Sequence, residues 1–364
     1  MSMNLEVWNT EFERIAICDN YESMIWTDRY DGYGDFELYF GMTRALLDIY
    51  KPDYYLISDD SEYIMIIENL RIQTDTESGN HLVITGRSLE SILTRRIIWN
   101  QTTVSGNLQN AIKRLITENV INPSIANRKI SNFIFNESTD VTVTSLTIEE
   151  TQFTGDTLYD AIQAICQVHD LGFKLILNDN YQFVFTLYSG IDRSYQQESL
   201  PYVVFSPDFE NIINSDYFEA KESYSNVTLV AGEGEGYDRT TTVVGEADST
   251  ELNRREYFTD ARDLSSNVDG GTLTPAQYLS ILKARGEEKL KEVEIQKEFE
   301  GQVEPTQMYR YGEHFFMGDI TELENEFGLE TRVRVIEYIH SESTSGDEEY
   351  PTFKVLDSKI EEEA

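Results

Sequence analysis

Apolar and polar residues alternate with period two over 64–73 and again over 81–85, with Glu77-Ser78-Gly79-Asn80 between them as a turn. Residues 5–100 therefore read as a meander of strands. The pattern becomes helical over 105–121, where Leu108, Ala111, Ile112, Leu115 and Ile116 share one face. After a β-rich stretch over 129–147, a second helix is expected over 156–171, with Leu158, Ile162 and Ile165 on its buried face and Gly172 closing it. Segments 173–177 and 182–187 then form a hairpin around Asp179-Asn180, residues that tolerate a left-handed turn.

Strands resume at 202–205, 227–231 and 240–244. A third helix starts with Thr274 as cap, Pro275 at its first position and Gln277 three residues after the cap, the arrangement of a capping box. Leu279, Leu282, Leu290 and Val293 make its apolar stripe, and Glu287, Glu288, Lys289 and Lys291 its solvated face. Strands at 320–323 and 332–339 follow, and Glu361-Glu362-Glu363 reads as a disordered fringe. The expected fold is mainly β with α+β inserts, without tandem repeats. It comprises a first β-domain over 1–100, an α/β insert over 101–200, a second β-domain over 201–245 and 299–364, and a helical insert over 246–298. The two β-portions could be copies of one barrel.

Composition sharpens this picture. The 22 Tyr, 18 Phe and 3 Trp favour pleated, half-buried strands. With 29 Lys plus Arg against 66 Asp plus Glu, the formal charge is −37 and the acids are spread along the chain. Duplex DNA carries one negative charge per ~1.7 Å of axis, so a surface that grips phosphate is net basic. Stable nucleic-acid binding is disfavoured, and so is an anionic membrane surface. No apolar run approaches the ~20 residues of a membrane span, and residues 1–10 do not resemble a signal peptide, so folding in cytosol is expected. Cys18 and Cys166 are far apart and outside any paired-Cys spacing, which predicts two separate reduced thiols.

Candidate chemistry is sparse. Gly232-Glu233-Gly234-Glu235-Gly236 follows a strand, as a dinucleotide loop would, but the next segment is strand-like and the glutamates would repel phosphate, so a flexible hairpin loop is expected. Asp28, Asp31 and Asp35 lack the alternate spacing and closing glutamate of a calcium loop, which favours a β-turn. His81, His169, His314 and His340 stand in no zinc-hydrolase pattern, and His169 projects onto the apolar helix face as a core or interface histidine. Carboxylates are too abundant for a glycosidase-type pair to be informative. No nucleophile elbow or Cys/His constellation occurs, and the sequons at Asn100, Asn136 and Asn226 have no meaning without a secretory signal. The sequence thus predicts no catalytic residue, no metal ligand and no cofactor.

Two stretches carry a family likeness. The first is Arg14-Ile15-Ala16-Ile17 followed by Trp26-Thr27-Asp28-Arg29-Tyr30-Asp31-Gly32-Tyr33-Gly34-Asp35-Phe36-Glu37-Leu38. It resembles the opening of the siphophage Gp37-like tail proteins, relatives of the phage baseplate hub. The second runs from Tyr311-Gly312-Glu313-His314-Phe315-Phe316-Met317-Gly318-Asp319-Ile320 through Arg332-Val333-Arg334-Val335-Ile336-Glu337 to Tyr350-Pro351-Thr352-Phe353, and resembles the closing barrel of those hubs. Tyr257-Phe258-Thr259-Asp260-Ala261-Arg262-Asp263-Leu264, before the Thr274 helix, is similar to the same group.

The resemblance implies two tail-tube-like barrels plus two inserts, in a virion structural protein at the distal tail tip that is made in the host cytoplasm. It further implies a homotrimer whose six barrels continue the hexameric tail tube. The partners would be the distal tail protein, the tape measure protein and tip, fibre or receptor-binding proteins. Acids would face a channel through which DNA passes at ejection. Because the chain stops soon after Phe353, any peptidoglycan hydrolase is expected on another polypeptide. The competing reading is a protein that binds or cleaves cell-wall carbohydrate through exposed aromatics and paired carboxylates.

Overall fold

The computed structural model describes residues 3–76, 79–268, 271–303, 308–327, 330–344 and 346–356. The chain is mainly β, with helices in inserts. One sheet of 13 strands dominates. Its strands run in the order Ile212–Ala220, Gln296–Val303, Gly346–Val355, Glu330–Ser343, Ser23–Arg29, Asp35–Gly41, Gly79–Ser88, Met65–Asp75, Tyr55–Ser58, Leu5–Trp8 and Arg14–Cys18. Ile320–Glu324 joins beside Glu330–Ser343, and Val204–Phe205 pairs parallel to it. Among the described residues, strand pairing closes neither β-portion into a separate barrel.

The two portions are instead fused through the long strand Glu330–Ser343. One of its sides faces Gly346–Val355 from Val333 to Ser343. Its other side changes partner halfway: Glu330 to Arg334 pair with Ile320–Glu324, whereas Glu337 to Ser343 pair with Ser23–Arg29. The register shift between Val335 and Glu337 lies between these two halves. Ile336 there gives its carbonyl to the Tyr30 amide at 2.9 Å. A bulge bends a strand and strengthens its twist, which lets one strand serve two neighbours.

Period-two alternation places Met24 and Trp26, Phe36, Leu38 and Phe40, and Leu82 and Ile84 in one apolar cluster with Leu5, Val7 and Leu56. A second cluster joins Phe205, Phe315, Val333, Val335 and Phe353. A third fills the α/β segment with Leu108, Ile112, Leu115, Leu158, Ile162, Phe173 and Phe185. A fourth joins Val230, Val244, Leu264, Tyr278, Ile281 and Leu282.

Several elements differ from the sequence reading. The first helix is Leu108–Ile116 and not 105–121: Thr102–Asn107 pairs as a strand with Thr147–Phe153, the Asn107 side chain caps the helix, and Thr117–Ile121 continues as a wider helical turn. Its expected face is buried. The second helix, Leu158–Val168, is not closed by Gly172. Asp170 takes the left-handed conformation at φ 51°, and Gly172 opens the next strand where a Cβ would lie 2.4 Å from the Tyr30 ring. In the following hairpin Tyr181 takes the left-handed position, its ring stacked 5.2 Å from Phe12, while Asn178 Oδ1 accepts the amides of Asn180 and Gln182. The stretch 129–147 holds the strand Phe133–Asn136 and a short helical turn, Val141–Thr144, capped by Asp140, and ends where the strand Thr147–Phe153 begins.

The third helix, Pro275–Lys291, has the expected capping box at Thr274 and Gln277. Its buried face is offset, however: Tyr278, Ile281, Leu282, Arg285 and Gly286 are buried, while Leu279 and Leu290 are half-buried and Val293 lies beyond the helix. Gly286 decides this, because a Cβ there would come within 2.7 Å of both Val230 and Val244, so the helix approaches the sheet on its glycine side. Glu288 is half-buried 3.4 Å from Arg285, not on a solvated face. Val227–Ala231 and Thr241–Gly245, expected with the second β-portion, form a separate three-stranded sheet with Glu256–Asp260 under this helix. The turn residues Glu77 and Ser78 and the acidic run 361–363 lie outside the described residues.

Phe353 is fully buried with its ring 5.1 Å from Phe205, on the strand between Gln296–Val303 and Glu330–Ser343. Phe353→Ala is expected to cost about 3–5 kcal/mol. The loss should appear as weaker hydrogen-exchange protection in Ser23–Arg29 as well as in Gly346–Val355.

Candidate functional site at the three-way junction

The Gly318-Asp319 turn lies where the N-terminal strands, the α/β segment and the C-terminal strands meet. Gly318 has φ 87°, and a Cβ would stand 2.3 Å from the Tyr30 ring, so both its conformation and its surroundings require glycine. Gly190 crosses it so closely that a Cβ would meet the Gly318 carbonyl oxygen at 1.7 Å. The side chain of Asp319 is 2 % exposed. Its Oδ1 accepts the Ile191 amide at 2.7 Å, and Oδ2 accepts Arg193 Nε at 2.7 Å and the Phe316 amide at 3.1 Å. A carboxylate receiving three donors, one of them charged, is a strong directional clasp.

Tyr30 is the second tie. Its amide donates to Ile336, its carbonyl accepts the Phe173 amide at 3.2 Å, and its hydroxyl donates to the Asp170 carbonyl at 3.0 Å. The Arg334 guanidinium lies 5.2 Å from its ring centroid and donates to the Gly318 carbonyl at 2.8 Å. Burial pushes the Tyr30 hydroxyl up to about 12, which keeps it a neutral donor.

Next to these ties is a cavity of about 450 Å³ whose wall includes Asp28, Asp60, Glu62, Lys174, Tyr311 and Phe316. Asp28 accepts from Trp26 Nε1 and Ser61 Oγ, each at 2.9 Å, and burial pushes its carboxyl up to about 7. Behind the wall, Glu90 accepts the Leu175 amide at 2.7 Å and the Ser88 hydroxyl, and burial likewise pushes it up to about 7. Lys174 holds both oxygens of Glu62 at 2.7 Å. The Tyr63 and Tyr188 hydroxyls pair at 3.2 Å. The buried carboxylates thus have their oxygens occupied by the fold, and the arrangement holds three segments together.

The other residues singled out in the sequence have separate partners. Asp35 bonds to Arg29 at 2.7 Å, while burial raises the carboxyl of Asp31. Among the described residues, no three His, Cys, Asp or Glu side chains are grouped as metal ligands. His81 stacks on Tyr39, His169 ends its helix with burial lowering its basicity, His314 Nδ1 accepts the Arg310 amide, and His340 lies between Glu342 and Glu349. The glycine-rich run does form a hairpin loop, but a fastened one: Glu233 accepts from the hydroxyls of Ser265 and Ser266. Cys18 and Cys166 are both buried and unpaired. Sequence reasoning passed over Tyr30, Glu90 and Arg193. For Glu90 a signal existed, an acid set among Leu89, Ile92 and Leu93.

The buried acids give the fold a pH dependence of defined sign. Asp28 and Glu90 bind protons more tightly in the folded chain, where they titrate near 7, than at their ordinary values of 3.8 and 4.5. Their stabilisation is complete below those ordinary values and is lost as pH rises through about 7. Asp28→Asn keeps an acceptor for Trp26 and cannot ionise. The unfolding midpoint of this variant, followed by circular dichroism, should therefore fall less between pH 5 and pH 8 than that of the parent.

Residues 4–350 match the family described as Siphovirus ReqiPepy6 Gp37-like protein. No curated protein matches the chain. The fold is similar to that of the 43 kDa tail protein of prophage MuSo2 from Shewanella oneidensis, with TM-score 0.58, 11% identity and coverage of 96% of this chain and 98% of that one. It is also similar to the tail protein of Neisseria meningitidis MC58 (0.56, 13%, 97% of each chain). The prophage tail protein gp18 of Listeria monocytogenes EGD-e gives 0.54 at 10% identity, over 98% of this chain and 95% of that one. The chain belongs to the Siphovirus ReqiPepy6 Gp37-like family and carries the tail-protein fold.

Proposed function

We propose that this protein is a structural component of a phage tail, the hub of its baseplate or tail tip. In this reading three copies form a ring that continues the tail tube, and the ring connects to the distal tail protein, the tape measure protein and tip or fibre proteins in the virion. The observation that carries the reading is family membership over residues 4–350, with a tail-protein fold along nearly the full length of both compared chains. The four apolar clusters suit two tube-like β-units and two inserts, with residues 227–245 grouped with the helix-bearing insert. A role in scaffolding and not in catalysis fits the junction, whose carboxylates are occupied by the fold itself. The charge of −37 suits a ring whose channel does not retain DNA.

The test is mass in solution. Light scattering coupled to size exclusion should give three times the 42.0 kDa chain at micromolar concentration; the mass of one chain throughout that range would overturn the ring. In the same preparation, cell-wall zymograms should stay uncleared. Clearing that is abolished by replacing one carboxylate would establish the carbohydrate-active reading instead.

A further inference from the structure

The small sheet of the helix-bearing insert, made of Thr241–Gly245, Val227–Ala231 and Glu256–Asp260, has two unlike faces. On one, Val230 and Val244 are buried against Gly286 of the helix Pro275–Lys291, and the Thr228 and Thr259 hydroxyls pair at 2.8 Å. Period-two alternation sends the intervening residues to the other face. There Val243, Leu229 and Phe258 stand in register across the three strands, 46%, 43% and 54% exposed. Neighbouring strands lie about 4.8 Å apart, so these side chains form one continuous apolar row. Tyr237 and Leu252, in the loops at opposite ends of the same sheet, are almost wholly exposed. Single exposed apolar residues are ordinary on a soluble protein, but a contiguous row marks an interaction surface.

The surroundings of the row are acidic. Asp238 lies in the loop at one end, and Asp248 and Glu251 in the loop at the other; all three are exposed, and none has an ion pair among the described residues. The nearby cations are already engaged: Arg239 and Arg262 with Asp260, Arg254 with Glu256 at 2.7 Å, and Arg255 with the Lys221 carbonyl. A second copy of this chain, at −37, would set acid against acid, and a nucleic acid or anionic membrane would be repelled in the same way. An apolar centre inside an acidic rim is complemented by a protein surface with an apolar centre and a basic rim.

We propose that this outer face of the insert docks a basic protein of the tail, which lays apolar side chains over Val243, Leu229 and Phe258 and sets Lys or Arg against Asp238, Asp248 and Glu251. This rests on the tail reading above and adds to it a partner-bearing surface on the insert.

The test uses purified tails in which benzoylphenylalanine, a photoactivatable residue, replaces Phe258 or, in a second preparation, Val243. Irradiation should join the chain to a different tail protein, and the joined segment, mapped by mass spectrometry, should carry Lys or Arg beside an apolar stretch. Asp248→Lys with Glu251→Lys should lower the yield roughly tenfold. If circular dichroism shows that this variant misfolds, Asp248→Asn with Glu251→Gln keeps the side-chain shapes and should still lower the yield. Joining to a second copy of this chain, joining to a segment without basic residues, or a yield that folded variants leave unchanged would overturn the docking surface. So would the absence of any cross-link at both positions in tails that contain the chain, and none of these results touches the tail reading. Tails that lack the chain would overturn both.

Discussion

The register shift at Ile336 is the constraint on which the architecture depends. Without it, Glu330–Ser343 would run straight along one neighbour, and Ile320–Glu324 and Ser23–Arg29 could not share its outer side in succession. The Ile336 carbonyl, displaced from the regular ladder, is taken by the Tyr30 amide. The next residues of that N-terminal strand are thereby steered out of the sheet toward the α/β segment, where Phe173 receives them. One irregular peptide thus determines where the first insert can attach.

Around that irregularity the chain is fastened by buried polar groups and not by apolar contact alone. Asp319 fixes Ile191, Arg193 and Phe316 together, and Arg334 binds the carbonyl of the preceding glycine. Buried ion pairs are weak contributors to net stability but strict in geometry, since a displaced partner leaves a charge without compensation. The glycines at 190 and 318 serve the same strictness from the other side, by letting two backbones cross where no side chain fits. The junction therefore admits one relative placement of its three segments.

Much of the β-character and most helix faces were legible because they are local: alternation in 81–85, the face of Leu108, Ile112 and Leu115, and the Thr274 box all depend on neighbours in sequence. In 64–73, by contrast, the strand is present but Ile64 to Ile67 are all buried and Ile72 is exposed. What was not legible depends on distant partners. Gly172 was read as a helix terminator, but its reason is the Tyr30 ring. The offset face of the last helix follows from Val230 and Val244 lying against Gly286, which periodicity cannot register. Fusion of the two β-portions was illegible for the same reason, since Ser23 meets Ser343 only in the fold. At the junction the sequence offered Gly318-Asp319 as a motif, while the function of its aspartate required residues 191 and 193 to be brought to it.

The pairing of Ser23–Arg29 with the far end of Glu330–Ser343 also sets an order of events during synthesis. At ~5–20 residues per second, a ribosome needs roughly 15–60 s to make the intervening chain. Throughout that interval the N-terminal strand has one side paired by Asp35–Gly41 and the other side open. The α/β insert, whose apolar cluster draws on no residue beyond Leu187, can complete that core meanwhile. The nascent polypeptide therefore carries a finished insert beside an unsealed sheet, and that waiting edge is the surface a chaperone would have to shield until the last strands emerge.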